Sequence, residues 1–532
     1  MKKRMLLLVL SLILVFSMVL TSCGKDKNTQ TGDQSSDTNS QTEDSKSGDD
    51  TEPVTLSLFI NMDWYWVDSF GGRPVDDEIT KKTGVTLDVT KAADQQQQLA
   101  VLIGSGDLPD MVYNGTKKLE PELVKHCYSY NELIEKYAPD FEVDPLIVAN
   151  NTMPDGNFYC IKNNYSTPEE YAEENPRFVA TPGASTLHIR EDIMEELGNP
   201  ELNTLEDLEE VLVKVTEKYP DMNALALGPD GYGESYFKMM FGLQSGNNGV
   251  YEEDGKIKYM VRDPKYVETY KYLNRLYRKG CIKPESLIYK YEDYQQAITS
   301  GNVFAAARAV DESGKANRAF KEADLPYKMT IVNKMLNEEG GTVNDNIGWA
   351  GVYITKNCKQ PDRAIKFVQF LRSDEGQKLS CWGIEDEHYT LTPEGYPEMT
   401  SEMKELYQDY DNMVRTVGNM AWAFGVSEQT EGVWNYTGDE TSDWLRTVKE
   451  SVKEFKPVYN FVVPKEDIDE TTIYSKIVDF EKTQTVKLIS AETEEEFTAA
   501  YNDLVEKLEA MGLSKLEDWM TDKYDEVKDR YE

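Results

Sequence analysis

Hydrophobic and polar positions in the first part of the chain alternate between strand and helix periods. Short apolar runs at 54–60, 85–89 and 111–113 are typical of buried strands. Between the first two runs, residues 74–82 show a helical pattern that Gly84 ends. Strand, helix and strand in this order predict a parallel sheet with right-handed crossovers. Ligands bind such sheets beyond the carboxyl ends of the strands, so the loops after the first and third strands are candidate ligand loops.

A second set of alternating elements begins near Ser185. Residues 186–189 predict a strand, and residues 191–197 predict a helix. Thr204 and Asp207 then approximate a capping box, the start signal of a helix with a regular apolar face. Further strands, helices and one hairpin are predicted at 224–227, 249–260, 266–278, 348–354, 364–371 and 497–508. The pattern therefore predicts two α/β lobes.

Composition and charge exclude several classes of protein. The 532-residue chain carries 57 Lys and Arg against 96 Asp and Glu, which gives a formal net charge of −39. A surface this negative argues against nucleic-acid binding and against electrostatic adhesion to anionic lipid. The chain has only three histidines and no C-x-x-C, so we expect no zinc site. The five cysteines that follow the N-terminal region are compatible with one disulfide or with buried free thiols.

The N-terminal residues predict export and membrane anchoring. A basic stretch at 2–4 precedes an apolar run, 5–20, that is too short for a comfortable membrane span and fits a secretory signal. Leu20-Thr21-Ser22-Cys23 resembles a bacterial lipobox. Residues 1–22 are therefore predicted to be a lipoprotein signal peptide and Cys23 to be the acylated residue. An ordinary signal peptide with a chance cysteine and an N-terminal anchor helix are the alternatives.

The segment that follows the predicted lipidation site has the composition of a tether. Residues 24–52 contain no aliphatic and no aromatic side chain. Such a segment cannot bury enough apolar surface to fold. Residues 23–52 are therefore predicted to be a lipidated cysteine followed by a disordered polar linker.

Enzyme motifs are missing from the sequence. It contains no G-x-S-x-G, no H-E-x-x-H and no G-x-x-x-x-G-K-[ST]. The acidic runs at 385–387 and 494–496 are interpreted as solvated faces, so we expect no enzyme, with a surface-anchored glycoside hydrolase as the alternative. The segment 344–346 is rich in oxygen ligands but lacks the twelve-residue calcium loop, so neither a metal nor a cofactor is predicted.

Four stretches of the chain, taken in order behind the lipobox, resemble one family. They are 82–87 leading to 104–112, then 187–197 with the helix after Thr204, then 297–305, and finally 351–371 with 373–377, 382–384 and 388–389. They are similar to the extracellular solute-binding proteins of family 1, the lipoprotein receptors of ABC sugar importers, of which maltose-binding protein is the familiar member. The chain length and the segment 383–389 resemble a long Gram-positive subgroup that serves oligosaccharide uptake.

That resemblance implies a fold and a division of the chain. The expected fold is α/β and two-lobed, of the periplasmic-binding-protein type II, with hinge-linked lobes and a ligand cleft between them. Lobe 1 is expected at 53–184, with a return segment at 346–400, and lobe 2 at 185–345. The C-terminal helical part, 401–532, is expected to belong mainly to lobe 2.

The resemblance also implies a function. We expect a substrate-binding lipoprotein that captures a carbohydrate, an oligosaccharide in this subgroup, in the cleft and delivers it to the permease of an ABC transporter. The chain is expected to be a monomer on the extracytoplasmic face of a Gram-positive cell membrane, anchored through the lipid on Cys23 and without nucleic-acid partners. A peptide-binding ABC receptor is the alternative within the binding class.

The resemblance, together with the chemistry of such a ligand, implies candidate ligand residues. An oligosaccharide presents flat C–H faces and many hydroxyls, so aromatic rings, carboxylates, amides and arginines are expected around it. The predicted ligand-binding residues are Asp63, Trp64, Trp66, Asn114, Tyr232, Glu234, Tyr236, Arg308, Asp311, Trp349, Trp382, Trp422 and Trp434. Core packing is the alternative for the tryptophans and for Tyr236, and Trp444 is predicted to be core.

Overall fold

A computed structural model describes residues 52–531, apart from 96, 173–174, 181–183, 230, 437 and 466–467. The predicted signal peptide, the predicted lipidation site Cys23 and the linker up to residue 51 lie outside the described residues. They therefore stay predictions.

The helices and strands follow the predicted order closely. The strands are β1 Val54–Ile60, β2 Val85–Lys91, β3 Met111–Asn114, β4 Ser185–Arg190, β5 Asn223–Leu227, β6 Val250–Glu253, β7 Lys256–Tyr259, β8 Val303–Ala309, β9 Met329–Ile331, β10 Thr342–Asn344, β11 Gly351–Ile354, β12 Tyr389–Leu391, β13 Pro397–Met399 and β14 Val452–Phe455. The α-helices are α1 Pro74–Thr83, α2 Gln98–Ser105, α3 Glu120–Leu123, α4 Tyr130–Tyr137, α5 Pro145–Asn151, α6 Pro168–Ala172, α7 Glu191–Glu196, α8 Leu205–Lys218, α9 Tyr232–Met240, α10 Pro264–Arg278, α11 Tyr291–Thr299, α12 Glu312–Glu322, α13 Pro361–Arg372, α14 Asp374–Trp382, α15 Ser401–Tyr407, α16 Tyr410–Val417, α17 Glu428–Trp434, α18 Glu440–Ser451, α19 Asp469–Ser490, α20 Glu494–Met511 and α21 Leu513–Tyr531.

The first sheet has the strand order β11-β3-β1-β2. β1 pairs in parallel with both β2 and β3, as the strand–helix–strand pattern predicts, and β11 adds to β3 in the antiparallel sense. The crossover helix α1 ends at Gly84, whose φ of 68° places it in the left-handed region that favours glycine. The Gly84 N–H donates to the carbonyl of Thr80 at 2.7 Å and so closes the last turn.

The second sheet has the order β5-β8-β4-β9. β5 and β8 are parallel, whereas β4 lies antiparallel to β8 and to β9. Strands β5 and β8 are made almost entirely of alanine, leucine and other apolar residues, and they are buried on both faces. Continuous apolar strands of this kind are expected where helices cover both faces of a sheet.

Each sheet anchors a large apolar core. The first core packs β1–β3 and β11 against helices that include α1, α4 and α13. The second core packs β4, β5 and β8 against α8–α10 and α18–α21. Residues 403–434, which the sequence assigned with the C-terminal part, pack into the first core, while 444–527 pack into the second. An amphipathic helix can bury its apolar face against either sheet, so its sequence alone does not predict which of the two it packs against.

Individual side chains answer two questions that the sequence raised. Trp444 is fully buried in the second core, as predicted. The cysteines at 127, 160, 281, 358 and 381 are all buried free thiols.

In the part of the chain that the structure describes, no helix combines the length and apolar character that a membrane span needs.

Candidate functional site

A cavity of about 1250 Å³ opens between the two sheets. Loops at the carboxyl ends of β1, β3, β5 and β8 line it, and they contribute Trp64, Gly115, Gly228 and Arg308 among others. This is the edge at which the parallel pattern predicts ligand loops. The volume exceeds the roughly 300–1,000 Å³ of ordinary small-molecule pockets, so the cavity has room for an extended ligand.

One end of the cavity is an aromatic corner formed by Trp64, Trp66, Trp349 and Trp422. Trp64 stacks on Trp349 with ring centroids 6.1 Å apart and an interplanar angle of 28°. Trp66 meets Trp422 edge to face at 4.7 Å, and Trp349 meets Trp422 at 6.3 Å and 82°. Trp66 and Trp422 are largely buried behind the half-buried Trp64 and Trp349. The corner therefore offers two indole faces to the cavity, backed by two more.

A second part of the lining, on the side of the second sheet, is a charged wall made of Tyr232, Tyr291, Arg308, Asp311 and Lys315. The guanidinium of Arg308 forms an ion pair with Glu312 and lies 4.6 Å from the ring centre of Tyr291 and 5.2 Å from that of Tyr232. These contacts hold the planar group against two rings. An arginine fixed in this way presents directional donors without losing side-chain entropy when a ligand binds.

Lys315 and Asp311 form the second ion pair of the charged wall, at 2.6 Å. Burial by itself would raise the pKa of Asp311, but the charges of Lys315 and Arg308 outweigh burial and hold that pKa below its ordinary value. Lys315 also donates to the hydroxyl of Tyr291 at 3.0 Å. The wall is therefore charged at neutral pH, with its charges paired.

Two other carboxylates that line the cavity have raised pKa values. Burial raises the pKa of Glu234, and burial together with the nearby Glu292 raises the pKa of Asp63. Overall, the lining residues include seven Lys or Arg and seven Asp or Glu. The cavity is thus balanced in formal charge, in a chain whose net charge is −39.

Nine of the predicted ligand residues line the cavity. They are Asp63, Trp64, Trp66, Tyr232, Glu234, Arg308, Asp311, Trp349 and Trp422. They come from five separate stretches of sequence, at 63–66, 232–234, 308–311, 349 and 422. Their role in ligand binding remains a prediction.

The other four, Asn114, Tyr236, Trp382 and Trp434, lie outside the cavity. Tyr236 is fully buried against Phe237, because α9 turns other positions towards the cavity and this one into the core. Trp382 and Trp434 are buried in the first core, where both contact Tyr389.

Asn114 has a structural role next to the cavity. It is 2% exposed, and its side-chain oxygen accepts hydrogen bonds from the Asn61 side chain and the Thr116 backbone N–H, both at 3.0 Å. It therefore braces the loops after β1 and β3 against each other. The sequence placed it correctly at a strand end but could not show that its amide is already satisfied.

Sequence reasoning missed a third group of lining residues. Helix α19 contributes Tyr474, Glu481 and Lys482, although nothing in its sequence separates it from other amphipathic helices. Lys117 also lines the cavity and donates to the side chain of Asn248 at 2.9 Å, which joins the loop after β3 to the loop before β6. Its position directly after a predicted strand was the one available signal.

The oxygen-rich segment 344–346 is engaged in hydrogen bonds. The carboxylate of Asp345 accepts the backbone N–H of Asn247 at 3.0 Å. The side chain of Asn346 donates to the carbonyl of Asn164 at 2.5 Å. Among the described residues, no group of three or more His, Cys, Asp or Glu side chains is arranged to hold a metal ion.

Comparison with known proteins decides the family. A profile of the bacterial extracellular solute-binding proteins matches residues 75–385, which is more than half of the chain. The chain belongs to this family. The matched region contains the whole second sheet of this solute-binding protein and the strands β2, β3 and β11 of the first, whereas β1 precedes it.

Two curated relatives match more distantly. Lipoprotein LipO of Bacillus subtilis (strain 168) is 21% identical over 358 residues, which cover 63% of this chain and 68% of LipO. The fructooligosaccharide ABC transporter substrate-binding protein FusA of Streptococcus pneumoniae serotype 4 is 26% identical over 242 residues. That match spans 41% of this chain and 42% of FusA, which is less than half of either protein.

Solved structures share the fold. The alginate-binding protein AlgQ2, crystallised without calcium ion, superposes with a TM-score of 0.66 at 19% identity over 89% of this chain and 98% of its own. FusA in complex with kestose superposes with a TM-score of 0.62 at 18% identity over 90% of this chain and all of its own. The two-lobed α/β fold of the solute-binding proteins is thus shared over almost the entire folded body.

Proposed function

We propose that this protein is the extracytoplasmic substrate-binding lipoprotein of an ABC transporter and that it captures an oligosaccharide in the cavity. The composition of the lining carries the proposal. Of the residues that the structure describes, the twelve aromatic ones that line the cavity are all Trp or Tyr. These rings stack on C–H faces and also hydrogen-bond to hydroxyl groups, and sugars offer both. A cavity meant for purely apolar ligands has no need of twelve polar-edged rings.

The charge balance of the lining further restricts the class of ligand. Seven cationic and seven anionic lining residues favour a ligand without net charge, since a polyanion or polycation would leave one set unpaired. The volume supports an oligosaccharide rather than one sugar unit. FusA, a relative, is named for fructooligosaccharides and was solved with kestose.

The transport cycle follows from a two-lobed receptor. A ligand that contacts both walls binds the closed form better than the open form, and so shifts the population towards closure. The closed form then presents both lobes together to a permease. Because the sequence holds no phosphate-binding loop, ATP hydrolysis belongs to partner chains. The lipid on Cys23 and the linker to residue 52 would keep the receptor at the membrane.

Calorimetric titration against neutral oligosaccharides and against peptides tests the ligand class. We expect an oligosaccharide to bind, and we expect Trp64→Ala to weaken it by at least about 1 kcal/mol, or about fivefold, through lost stacking. Trp382→Phe, in the core outside the cavity, is the control and should bind as the wild type does. Binding of peptides alone would refute the carbohydrate assignment. Release of reducing ends over hours would instead favour a glycoside hydrolase.

Membrane fractionation tests the anchor separately. Replacing Cys23 with Ala should move the protein from the membrane to the soluble fraction, because one acyl-modified cysteine supplies the attachment that the acidic surface cannot. Retention of Cys23→Ala in the membrane would contradict lipidation at this residue.

A further inference from the structure

A buried carboxylate holds the back of the aromatic corner. Glu431, on α17, is 1% exposed. Its Oε1 accepts the indole N–H of Trp422 at 2.5 Å, and its Oε2 accepts the side-chain N–H of Asn164. A buried carboxylate costs free energy even when it is hydrogen-bonded, and an apolar side chain of similar size would be cheaper. Its presence behind a ligand cavity therefore requires a reason.

Asn164 extends the same network to the second indole. Its side-chain oxygen accepts the N–H of Trp349 at 3.2 Å. Its backbone N–H donates to the carbonyl of Val426 at 2.8 Å, and its φ of 52° lies in the left-handed region that asparagine tolerates. The asparagine is thus held by its main chain while its amide joins Glu431 to Trp349.

We propose that Glu431 and Asn164 are positioning residues that fix the angle between the Trp349 and Trp422 rings and so determine which ligand faces fit the aromatic corner. The proposal rests on the proposed ligand site. It adds two polar residues to that site, which act by holding the tryptophan rings rather than by stacking on the ligand. The two rings meet at 82°. Hydrogen bonds to both indole N–H groups remove the rotation that each ring would otherwise retain, and side chains locked in this way bind with less loss of entropy.

The chemistry of the network predicts that glutamine cannot replace Glu431. A carboxylate offers two acceptor oxygens, and both are used. Glutamine offers one oxygen and one NH₂, so it can accept from Trp422 or from Asn164 but not from both. Turning the Asn164 amide to meet the glutamine NH₂ would point its own NH₂ at the N–H of Trp349. Glu431→Gln therefore keeps the size of the side chain and breaks one of the two links.

A double-mutant cycle tests this coupling. Affinities for the bound oligosaccharide are measured for the wild type, Glu431→Gln, Trp422→Phe and the double variant at pH 9, above the value of about 8 to which burial raises the pKa of Glu431. We expect Glu431→Gln to weaken binding several-fold in the wild type and to have little further effect once Trp422→Phe has removed the N–H. Equal losses in both backgrounds would overturn the proposal. Trp434→Phe, buried on the same helix but outside the cavity, should leave affinity unchanged.

The pH dependence of ligand affinity distinguishes a positioning role from a merely structural one, which would leave it unchanged. Between pH 9 and pH 7, the wild type should lose affinity relative to Glu431→Gln, because protonation turns one acceptor oxygen into a donor. The titratable groups that face Glu431 are Glu428 on the same helix and Tyr65, Tyr113, Tyr407, Tyr410 and Cys381 on surrounding elements, and the pKa of each is raised. Lys449, in the cavity lining with its pKa lowered to about 8, contributes equally to both proteins. Parallel profiles would contradict the proposal.

A ligand-free measurement separates this proposal from the proposed function. The near-ultraviolet circular dichroism of the indoles should change on Glu431→Gln when Trp422 is present and not in the Trp422→Phe background. If no oligosaccharide binds the wild type, the proposed function fails while this spectrum still tests the positioning role. If Glu431→Gln does not fold, Asn164→Ala with Trp349→Phe forms the equivalent cycle for the other hydrogen bond.

Discussion

Gly115 shows how a single residue without a side chain shapes the ligand site. It follows β3, and the ring of Trp349 lies directly over it. A Cβ added at this position would lie 2.7 Å from Cζ3 of Trp349 and 3.1 Å from the Cβ of Ala350. Carbon atoms do not approach this closely in proteins, so any other residue here displaces the indole. The open space at Gly115 is therefore part of the aromatic corner.

Gly115→Ala is expected to weaken oligosaccharide binding several-fold while leaving the protein folded. The substitution pushes the ring of Trp349 out of its stack with Trp64, and overpacking of this kind costs about 1–3 kcal/mol. Calorimetry measures the affinity and circular dichroism checks the fold. Gly104→Ala is the matched control, since nothing lies within 4 Å of its added Cβ, and it should bind normally. Normal binding by Gly115→Ala would show that Trp349 does not contribute.

Glu431 should also make stability depend on pH. Burial raises its pKa from the ordinary 4.5 to about 8. Between these values the folded protein binds a proton that the unfolded chain has released, so the free energy of unfolding falls as pH rises through this window. The side chain of Glu431→Gln cannot titrate, so the unfolding free energy of this variant should fall less steeply with pH than that of the wild type. The two slopes should differ by up to about 1.4 kcal/mol per pH unit. Urea denaturation at pH 5 to 8 measures both slopes, and identical slopes would contradict the assignment.

At the scale of elements, α8 illustrates local encoding. Its N-cap Thr204 accepts the backbone N–H of Asp207 at 3.0 Å, and the Asp207 carboxylate accepts the backbone N–H of Thr204 at 2.9 Å. The predicted capping box is thus confirmed, with aspartate in the place where glutamate is usual. The buried residues that follow lie on one face, against the second sheet. The first residue and the buried face of this helix can both be predicted from its own sequence.

Thr204→Ala should destabilise the protein by about 1 kcal/mol without changing ligand affinity. The substitution removes the hydroxyl that satisfies an otherwise unpaired N–H in the first turn. Chemical denaturation measures the stability and calorimetry the affinity. Thr204→Ser, which keeps the hydroxyl, is the control and should lose much less stability. A loss of affinity with unchanged stability would contradict a purely structural role.

At the scale of the whole molecule, ion pairs join α12, which packs on the second sheet, to a segment that packs with the first core. Arg318, on α12 beside the second sheet, pairs with Asp409 at 2.8 Å and with Asp411 at 3.4 Å. Both aspartates lie in the segment that packs with the first core. Close packing reinforces the contact, since a Cβ on Gly314 would lie 2.3 Å from the carbonyl oxygen of Gln408. We therefore expect these contacts to favour a closed arrangement of the cavity.

Arg318→Ala is expected to shift the unliganded protein towards a more open form. Exposed ion pairs are worth up to about 1 kcal/mol, so affinity should fall by no more than about fivefold. Small-angle scattering at low and high salt measures the radius of gyration, which should increase in the variant, with a smaller difference at high salt. Lys507→Ala breaks an ion pair within α20 and is the control. A radius of gyration that does not change on Arg318→Ala would exclude a role in closure.

Much of the site could be predicted from strand ends. Trp64 and Tyr232 each lie shortly after a predicted strand, and both line the cavity. The errors concern side chains whose direction depends on packing. Tyr236 lies one turn after Tyr232 on the same side of α9, yet it is buried in the second core, whereas Tyr232, at the start of the helix, is exposed and lines the cavity. Asn164 has no local sequence signal, since its side-chain partners Trp349 and Glu431 are more than 180 positions away along the chain. Trp422 is only nine positions from Glu431, but no sequence pattern shows that the two side chains meet.

By itself, the sequence determined many of the strands and helices, the capping box of α8 and the parallel pairing of β1 with β2 and β3, because these depend on periodicity and on the order of neighbouring elements. It also marked the edge of the sheet where ligand loops gather, because parallel strands end together. Only the tertiary structure decided which core received residues 403–434, which tryptophans formed the aromatic corner and which carboxylate held them. Those outcomes depend on contacts between distant segments, and one amphipathic face or one indole ring is compatible with several partners until the chain is packed.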